Sequence, residues 1–119
     1  RVLVRSWVDE RERVIICDRE NDRIQLFNSD GDFLEEWTDL SSPGDVWIHE
    51  EHIYCVEQGP HGGVSIWTLN GDVVSRWKID EDPGKGSITD GHGITVDLEG
   101  SIYVTEIGTG ERVSKFVRV

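Results

Sequence analysis

Methionine is absent from this sequence of 119 residues, and proline, cysteine and long apolar runs are scarce. Three prolines against 13 glycines exclude a proline-rich disordered chain and favour many tight turns. No apolar run approaches the roughly 18 residues that cross a bilayer, and the N-terminus lacks the apolar core of a signal peptide. We therefore predict a soluble chain with no sign of its compartment. Without methionine, Arg1 is not a native translation start, so either an initiator was removed or more sequence lies upstream.

Positive charge is also scarce, because 12 lysines and arginines face 24 aspartates and glutamates, for a net charge of −12. Nucleic-acid affinity depends on clustered cations that neutralise phosphates, and a negative field opposes it. The same field disfavours the anionic leaflet of a membrane. We therefore expect neither nucleic acid nor membrane as a partner, whereas a cationic ligand, a metal ion or a neutral substrate stays open.

The two cysteines, Cys17 and Cys55, each lie in an apolar run typical of a β-strand. Free cysteine behaves as a small hydrophobic residue and is among the most buried residue types. We predict two buried, reduced thiols, with a single disulfide as the alternative. Two cysteines do not make a disulfide scaffold.

Three segments of the chain repeat one pattern, a short β-rich run that ends in an acid. These runs are residues 14–18, 53–57 and 102–106. Each is followed by a loop and a second run that ends in an aromatic residue, at residues 23–27, 64–67 and 112–116. A short apolar strand opens each repeat, at residues 7–8, 46–48 and 93–96.

Turn signals complete the first two repeats. Asp30-Gly31 and Asn70-Gly71 lie about 40 positions apart, and Trp37 and Trp77 share that spacing. Asp-Gly and Asn-Gly pairs favour type I′ turns, which need a positive φ at both central positions. The pattern predicts four strands per repeat, with the two tryptophans ending the fourth strands and packing between repeats.

Short, evenly spaced strands without helical periodicity predict an all-β fold of four-stranded propeller blades. The blades cover about residues 5–40, 43–78 and 90–119 of a single domain, residues 1–119, with a linker at residues 83–87. Each sheet has two apolar faces, so blades need neighbours until a ring closes. We predict half of a six-bladed propeller, closed by a homodimer. Residues 1–5 are expected to supply the outer strand that the third blade lacks, which would also hide an exposed edge.

The run from Cys17 to Phe27 resembles an NHL repeat and, more narrowly, the propeller of the peptidyl-α-hydroxyglycine α-amidating lyase family. Residues 91–97 and 100–104 are similar to a late blade of that family, and residues 112–119 are similar to its C-terminal end. The resemblance covers the whole chain as the last three of six blades. It implies a zinc ion in the central channel, held by histidines at the start of inner strands, with a structural calcium ion nearby.

The resemblance also implies a reaction and its site residues. The C–N bond of a peptidyl-α-hydroxyglycine breaks to give a peptide amide and glyoxylate, with the metal as Lewis acid on the hydroxyl and a nearby base accepting its proton. His92 matches a ligand position, whereas the equivalent positions are near Arg5 in the first repeat and Gly44-Asp45 in the second. Asp45 offers a carboxylate, and a dimer brings in a second His92. The predicted metal residues, His92 and Asp45, are fewer than the three protein ligands typical of catalytic zinc.

The remaining polar motifs favour structural roles. His49, His52 and His61 are predicted to be solvated loop residues, since the first two do not form a His-Glu-x-x-His zinc motif. Residues 83–87 lack the context of a phosphate loop. Residues 28–35 resemble a calcium loop only weakly, and a hairpin turn explains them better.

Asp18, Asn21 and Arg23 favour a structural role, with ligand contact as the alternative. A short Asx side chain can bond its own backbone in the turn, and an arginine can pair with the strand-end acid. No arrangement typical of a nucleophilic triad can be assembled from the sequence.

Two functions from different classes fit these patterns. One is a lyase-like site that uses zinc, with or without calcium, at His92 and Asp45. The other is a non-catalytic propeller that binds a protein, a peptide or a small molecule in its central channel. Propellers host many unrelated activities, so the fold does not decide between them.

Overall fold

The computed structural model describes residues 4–58, 62–78, 91–106 and 113–117, which form strands and a single 3₁₀ turn, Arg19–Asn21. The strands of the first sheet are β1 (Val4–Val8), β2 (Val14–Asp18), β3 (Arg23–Phe27) and β4 (Phe33–Trp37). Those of the second sheet are β5 (Pro43–His49), β6 (His52–Glu57), β7 (Gly63–Thr68) and β8 (Val73–Lys78). Those of the third sheet are β9 (Gly91–Val96), β10 (Ile102–Glu106) and β11 (Val113–Phe116).

Within each sheet the strands follow chain order and pair antiparallel. The prediction of an all-β chain with one sheet per repeat is confirmed. In the described residues the first two sheets have four strands and the third has three. The predicted linker at residues 83–87 and His61 lie outside the described residues.

The sheets fan out from a row of inner strands. β1, β5 and β9 each form one edge of their sheet, and β5 contacts both of the others. The ring centroids of Trp7 in β1 and Trp47 in β5 are 5.0 Å apart. Sheets that share such a row of first strands are arranged as propeller blades.

Each second strand ends in a buried acid, which is Asp18, Glu57 or Glu106. Asp18 pairs with Arg23 as the sequence predicts, because Arg23 Nε donates to its Oδ2 at 2.8 Å. Asn21, which the sequence predicts to bond its own backbone, has its Nδ2 3.0 Å from both carboxylate oxygens of Asp18. Glu57 instead accepts a backbone N–H from the loop after the first sheet, at 2.7 Å. These bonds compensate for the loss of hydration at the strand ends.

The β3–β4 and β7–β8 hairpins share one turn geometry, and it is not the predicted type I′. The N–H groups of Gly31 and Gly71 donate to the carbonyl three residues earlier, at 3.0 and 3.1 Å. Both glycines have positive φ, but Asp30 and Asn70 do not. This is the pattern of a type I turn followed by a glycine bulge, and the ladder shifts register beside it. The hairpins themselves are confirmed.

The side chain that opens each hairpin explains the choice of turn. Asn28 Oδ1 accepts the backbone N–H groups of Asp30 and Asp32, at 3.0 and 2.9 Å. Thr68 Oγ1 lies 3.1 Å from the N–H of Asp72 in the second sheet. These local bonds favour the longer loop, and residues 28–32 are a hairpin turn, as predicted.

The main apolar cluster lies between the first and second sheets. It includes Ile15, Ile24 and Leu26 of the first sheet, and Val46 and Ile53 of the second. Trp37 stacks on Trp67 with ring centroids 5.4 Å apart and an interplanar angle of 6°. The predicted packing of Trp37 between repeats is confirmed.

Trp77 makes the equivalent contact between the second and third sheets, with its ring 5.9 Å from that of Phe116. The two tryptophans differ in their indole N–H groups. Trp37 Nε1 donates to Glu35 Oε1 at 3.0 Å, whereas Ser75 stands two residues before Trp77. Trp77 Nε1 is buried and has no hydrogen-bond partner among the described residues.

Cys17 and Cys55 are free and buried in this core, which confirms the prediction of reduced thiols. Burial raises the pKa of the Cys17 thiol to about 12, and the nearby Asp45 carboxyl adds to the rise. Burial also raises the pKa of Cys55 well above its usual value. Both side chains therefore act as small hydrophobic groups rather than as nucleophiles.

The first sheet carries large exposed apolar side chains. Val8, Phe33 and Leu34 are 59%, 54% and 47% exposed. A propeller needs a neighbouring blade over such side chains, so closure by a homodimer stays a prediction. Val4 and Arg5 lie in β1, and the proposal that residues 1–5 supply an outer strand stays a prediction as well.

Candidate functional site

The three inner strands bring the candidate residues together. Arg5 lies in β1, Asp45 in β5 and His92 in β9, each near the start of its strand. β5 and β9 approach closely because Gly44 has no side chain, and a Cβ there would lie 3.2 Å from the carbonyl oxygen of Gly91. The positions that the repeats make equivalent therefore meet at the inner edge of the sheets.

The imidazole of His92 is bonded by an arginine. Arg5 Nη2 donates to His92 Nε2 at 2.9 Å. Arginine has donors and no acceptor, so Nε2 supplies the lone pair and the ring proton is on Nδ1. His92 Nδ1 is buried and has no hydrogen-bond partner in the described part of the chain. The neutral ring thus positions the guanidinium without neutralising its charge.

Asp45 lies beside this pair and is half-buried. Its Oδ2 accepts the backbone N–H of Ile94 at 3.3 Å, which ties β5 to β9. Burial raises the pKa of Asp45, although that N–H and the positive charge of Arg5 counteract the rise. The carboxyl is therefore held by the fold rather than by an ion pair.

Gln58 and Arg19 extend the polar network. Gln58 Nε2 donates to the carbonyl of Gly91 at 2.7 Å, and Arg19 Nη1 donates to Gln58 Oε1 at 3.5 Å. Sequence reasoning missed both residues. Gln58 follows the strand-end acid of the second repeat, which marks its place, but nothing in the sequence indicates that it reaches the third sheet.

His49 and His52 lie outside this cluster, on either side of the β5–β6 turn. His52 Nδ1 lies 2.8 Å from the carbonyl oxygen of Glu50, and His49 Nε2 lies 3.9 Å from the Glu50 carboxylate. Both side chains are partly buried, and the two residues lie at strand ends, as the last of β5 and the first of β6, rather than in a loop.

The residues described here do not fit the zinc site that the resemblance implies. Among them there is no group of three or more histidine, cysteine, aspartate or glutamate side chains that could hold a metal ion. Catalytic zinc is held by about three such ligands. In addition, the lone pair of His92 Nε2 already accepts a bond from the cationic Arg5. Metal binding at His92 and Asp45 stays a prediction that needs ligands from elsewhere.

A separate cavity of about 430 Å³ opens between the second and third sheets. Its lining includes His52, Tyr54, Trp77 and Phe116 and none of the residues of the inner-strand cluster, so the cavity and the cluster are separate.

Comparisons with known proteins support the fold. No family model matches the sequence. The chain is 49% identical over 37 residues to Protein lin-41 of Caenorhabditis elegans, which is 29% of this chain and 3% of that protein. It also superimposes on a solved structure of streptogramin B lyase with a TM-score of 0.73 and 19% identity, covering 96% of this chain and 37% of the other.

The chain thus spans 3% of the first of these proteins and 37% of the second. Within the described residues, no helix has the length and apolar character to cross a bilayer. The sheet arrangement and the two comparisons agree on a β-propeller fold with NHL-like repeats.

Proposed function

We propose that this chain is a ligand-binding module of an NHL-type propeller, and that a peptide or small molecule binds where the inner strands begin. The observation that supports this function is the convergence of Arg5, Asp45 and His92 from three different sheets. Ligand sites in proteins commonly combine a cleft with a few convergent polar groups. A purely structural cluster would pair its charges, whereas here the guanidinium bonds a neutral ring.

The site offers a ligand both hydrogen-bond donors and an acceptor. A guanidinium has five N–H groups, and His92 uses one of those on Arg5. Asp45 keeps an oxygen that is not bonded to Ile94 and can accept a bond from a ligand. The network of Gln58 and Arg19 holds the start of β9 in place. Such a preorganised set of donors and acceptors favours recognition over chemistry.

A lyase of the amidating type is the second candidate, and the resemblance of residues 91–104 favours it. It would need zinc at His92, and the described residues do not complete such a site. Streptogramin B lyase is a lyase by name, but at 19% identity the likeness concerns the fold alone. A homodimer that adds a second His92 is part of this proposal.

The test is a screen of short peptides and small fragments by ligand-observed NMR on the purified chain. We expect ligands whose affinity falls about tenfold or more in His92→Ala. His52→Ala is the matched control, because this histidine begins β6 beside the β5–β6 turn, and it should leave binding at the inner strands unchanged. Finding no ligand, or only ligands insensitive to His92→Ala, would refute the binding function. Stoichiometric zinc or calcium that is lost in His92→Ala would support the lyase instead.

A further inference from the structure

Two arginines at the inner ends of the strands bond neutral partners, although acids outnumber bases in this chain by 24 to 12. Arg5 donates to the His92 imidazole, and Arg19 to the Gln58 amide. Neither lies within 4.0 Å of a described carboxylate. Their positive charges are therefore not compensated by a direct ion pair.

The other arginines of the sheets show the contrast. Arg13 pairs with Asp9 at 2.8 Å, and Arg23 pairs with Asp18 at 2.8 Å. Arg76 has two carboxylates within reach, at 3.5 and 3.8 Å. These three arginines pair with carboxylates, whereas Arg5 and Arg19 do not.

Arg5 and Arg19, the two arginines without an ion pair, lie at the same end of the first sheet. Arg5 stands opposite Cys17 in the β1–β2 pair, and Arg19 directly follows the end of β2. Gln58 connects Arg19 to the carbonyl of Gly91, the neighbour of His92. Both cationic side chains therefore extend toward the start of β9.

Asp45 lies beside this place, but its carboxylate forms no ion pair within 4.0 Å with Arg5 or Arg19. Its Oδ2 instead accepts the backbone N–H of Ile94 in β9, at 3.3 Å. The positive charge at the inner ends is thus left available in a protein whose net charge is −12.

We infer that the ligand of this site carries a carboxylate, and that Arg5 binds it through two parallel N–H bonds with Arg19 adding positive charge. This inference rests on the proposed function and specifies its ligand class, an organic acid or a peptide with a free C-terminus. The planar fork of arginine matches a carboxylate, and its bidentate pairs are among the stronger hydrogen bonds in proteins. His92 is a positioning residue, because a carboxylate in its place would neutralise Arg5 before the ligand arrived.

The experiment compares acetate, N-acetylglycine and N-acetylglycinamide by NMR titration of the labelled chain, with the Arg5 and His92 side-chain signals as readout. We expect the two acids to shift these signals and the amide to bind about tenfold more weakly or not at all. Equal affinity for both acids would assign the site to the carboxylate alone, and tighter binding of N-acetylglycine would assign it to a peptide C-terminus. Added salt should weaken binding of either acid.

Three variants separate the effect of the positive charge of Arg5 from that of its planar, two-pronged guanidinium. Arg5→Gln should abolish binding of the acids, and Arg5→Lys should weaken it about threefold or more, because lysine keeps the charge and loses the fork. Arg11→Gln is the control, since Arg11 is exposed and also bonds a neutral partner, Asn70, but lies beyond the other end of β1. It should bind like the parent chain.

The outcomes distinguish this inference from the function on which it rests. If acid and amide bind equally well, and binding is unchanged in Arg5→Gln but lost in His92→Ala, the inference of a carboxylate ligand is refuted. The proposed ligand site itself would stand. Failure of all three probes, while the fragment screen finds uncharged ligands at His92, would lead to the same conclusion. Failure of every compound in both experiments would overturn both.

Discussion

Alanine at Gly71 should destabilise the protein more than alanine at Gly31, although the two glycines occupy equivalent turns. Their φ angles are +91° and +88°, so each alanine carries the same backbone penalty of about 1–2 kcal/mol. Their surroundings differ. A Cβ at position 71 would lie 2.8 Å from Cε2 and 3.0 Å from Cδ1 of Trp37, whereas a Cβ at position 31 meets nothing within 4 Å.

The clash at Gly71 cannot be relieved cheaply. Trp37 is 7% exposed and is stacked on Trp67, so its ring has little room to move. Overpacking of this kind costs about 1–3 kcal/mol. We therefore expect Gly31→Ala to cost about 1–2 kcal/mol and Gly71→Ala about 2–5 kcal/mol. The second value is a large part of the stability of about 5–15 kcal/mol that is typical of a domain.

Urea unfolding followed by tryptophan fluorescence measures both values. The same pair of glycine substitutions made in a Trp37→Leu background isolates the ring, because the excess cost of Gly71→Ala should then shrink toward that of Gly31→Ala. Equal losses for the two glycine variants in the parent chain would refute the reasoning, since the close approach to the indole would then have no energetic effect.

Three further predictions concern buried polar groups. Because burial raises the pKa of Cys17 and Cys55, both thiols should react with Ellman's reagent at pH 8 only after unfolding, and fast reaction of the native protein would contradict this. Burial raises the pKa of Asp45 above its usual value of 3.8, so the free energy of unfolding falls as the pH rises from 3.8 through the pKa of the folded protein. Asp45→Asn should therefore raise the urea midpoint at pH 7 but not at pH 3. Equal midpoints of the two proteins at pH 7 would count against this prediction. Ser75→Glu should stabilise by about 1 kcal/mol by giving the Trp77 N–H an acceptor, and the gain should vanish in a Trp77→Phe background.

Local chemistry accounts for the parts of the fold that the sequence predicts correctly. Residues 14–18 and 53–57 are β-rich runs that end in an acid, and in the structure these acids are buried at equivalent strand ends. The turn type was mispredicted because an Asp-Gly pair is compatible with more than one hairpin loop. Asn28 and Thr68 each lie two residues before the Asp-Gly or Asn-Gly pair, and their side-chain hydrogen bonds stabilise the longer loop.

The candidate site is predictable only where the repeats make positions equivalent. The repeats predict His92 and Asp45 in this way, and they place Arg5 at the third equivalent position, where an arginine does not indicate a metal site. The contacts of Gln58 and Arg19 cross from one sheet to another. Such contacts depend on how the sheets are placed around the inner strands, which local patterns do not encode.

The two proposed functions compete for one lone pair. His92 Nε2 accepts a bond from Arg5 at 2.9 Å, and the nitrogen of a neutral imidazole can bind either that donor or a metal ion, not both. A metal at Nε2 would displace the guanidinium and add positive charge beside it, which a site with one half-buried carboxyl does not balance. Binding of a carboxylate to Arg5 makes the opposite demand, because it needs the imidazole to keep holding the guanidinium in place. The proposed binding of a carboxylate therefore requires the contact between Arg5 and His92 to persist, whereas a metal-dependent lyase must break it.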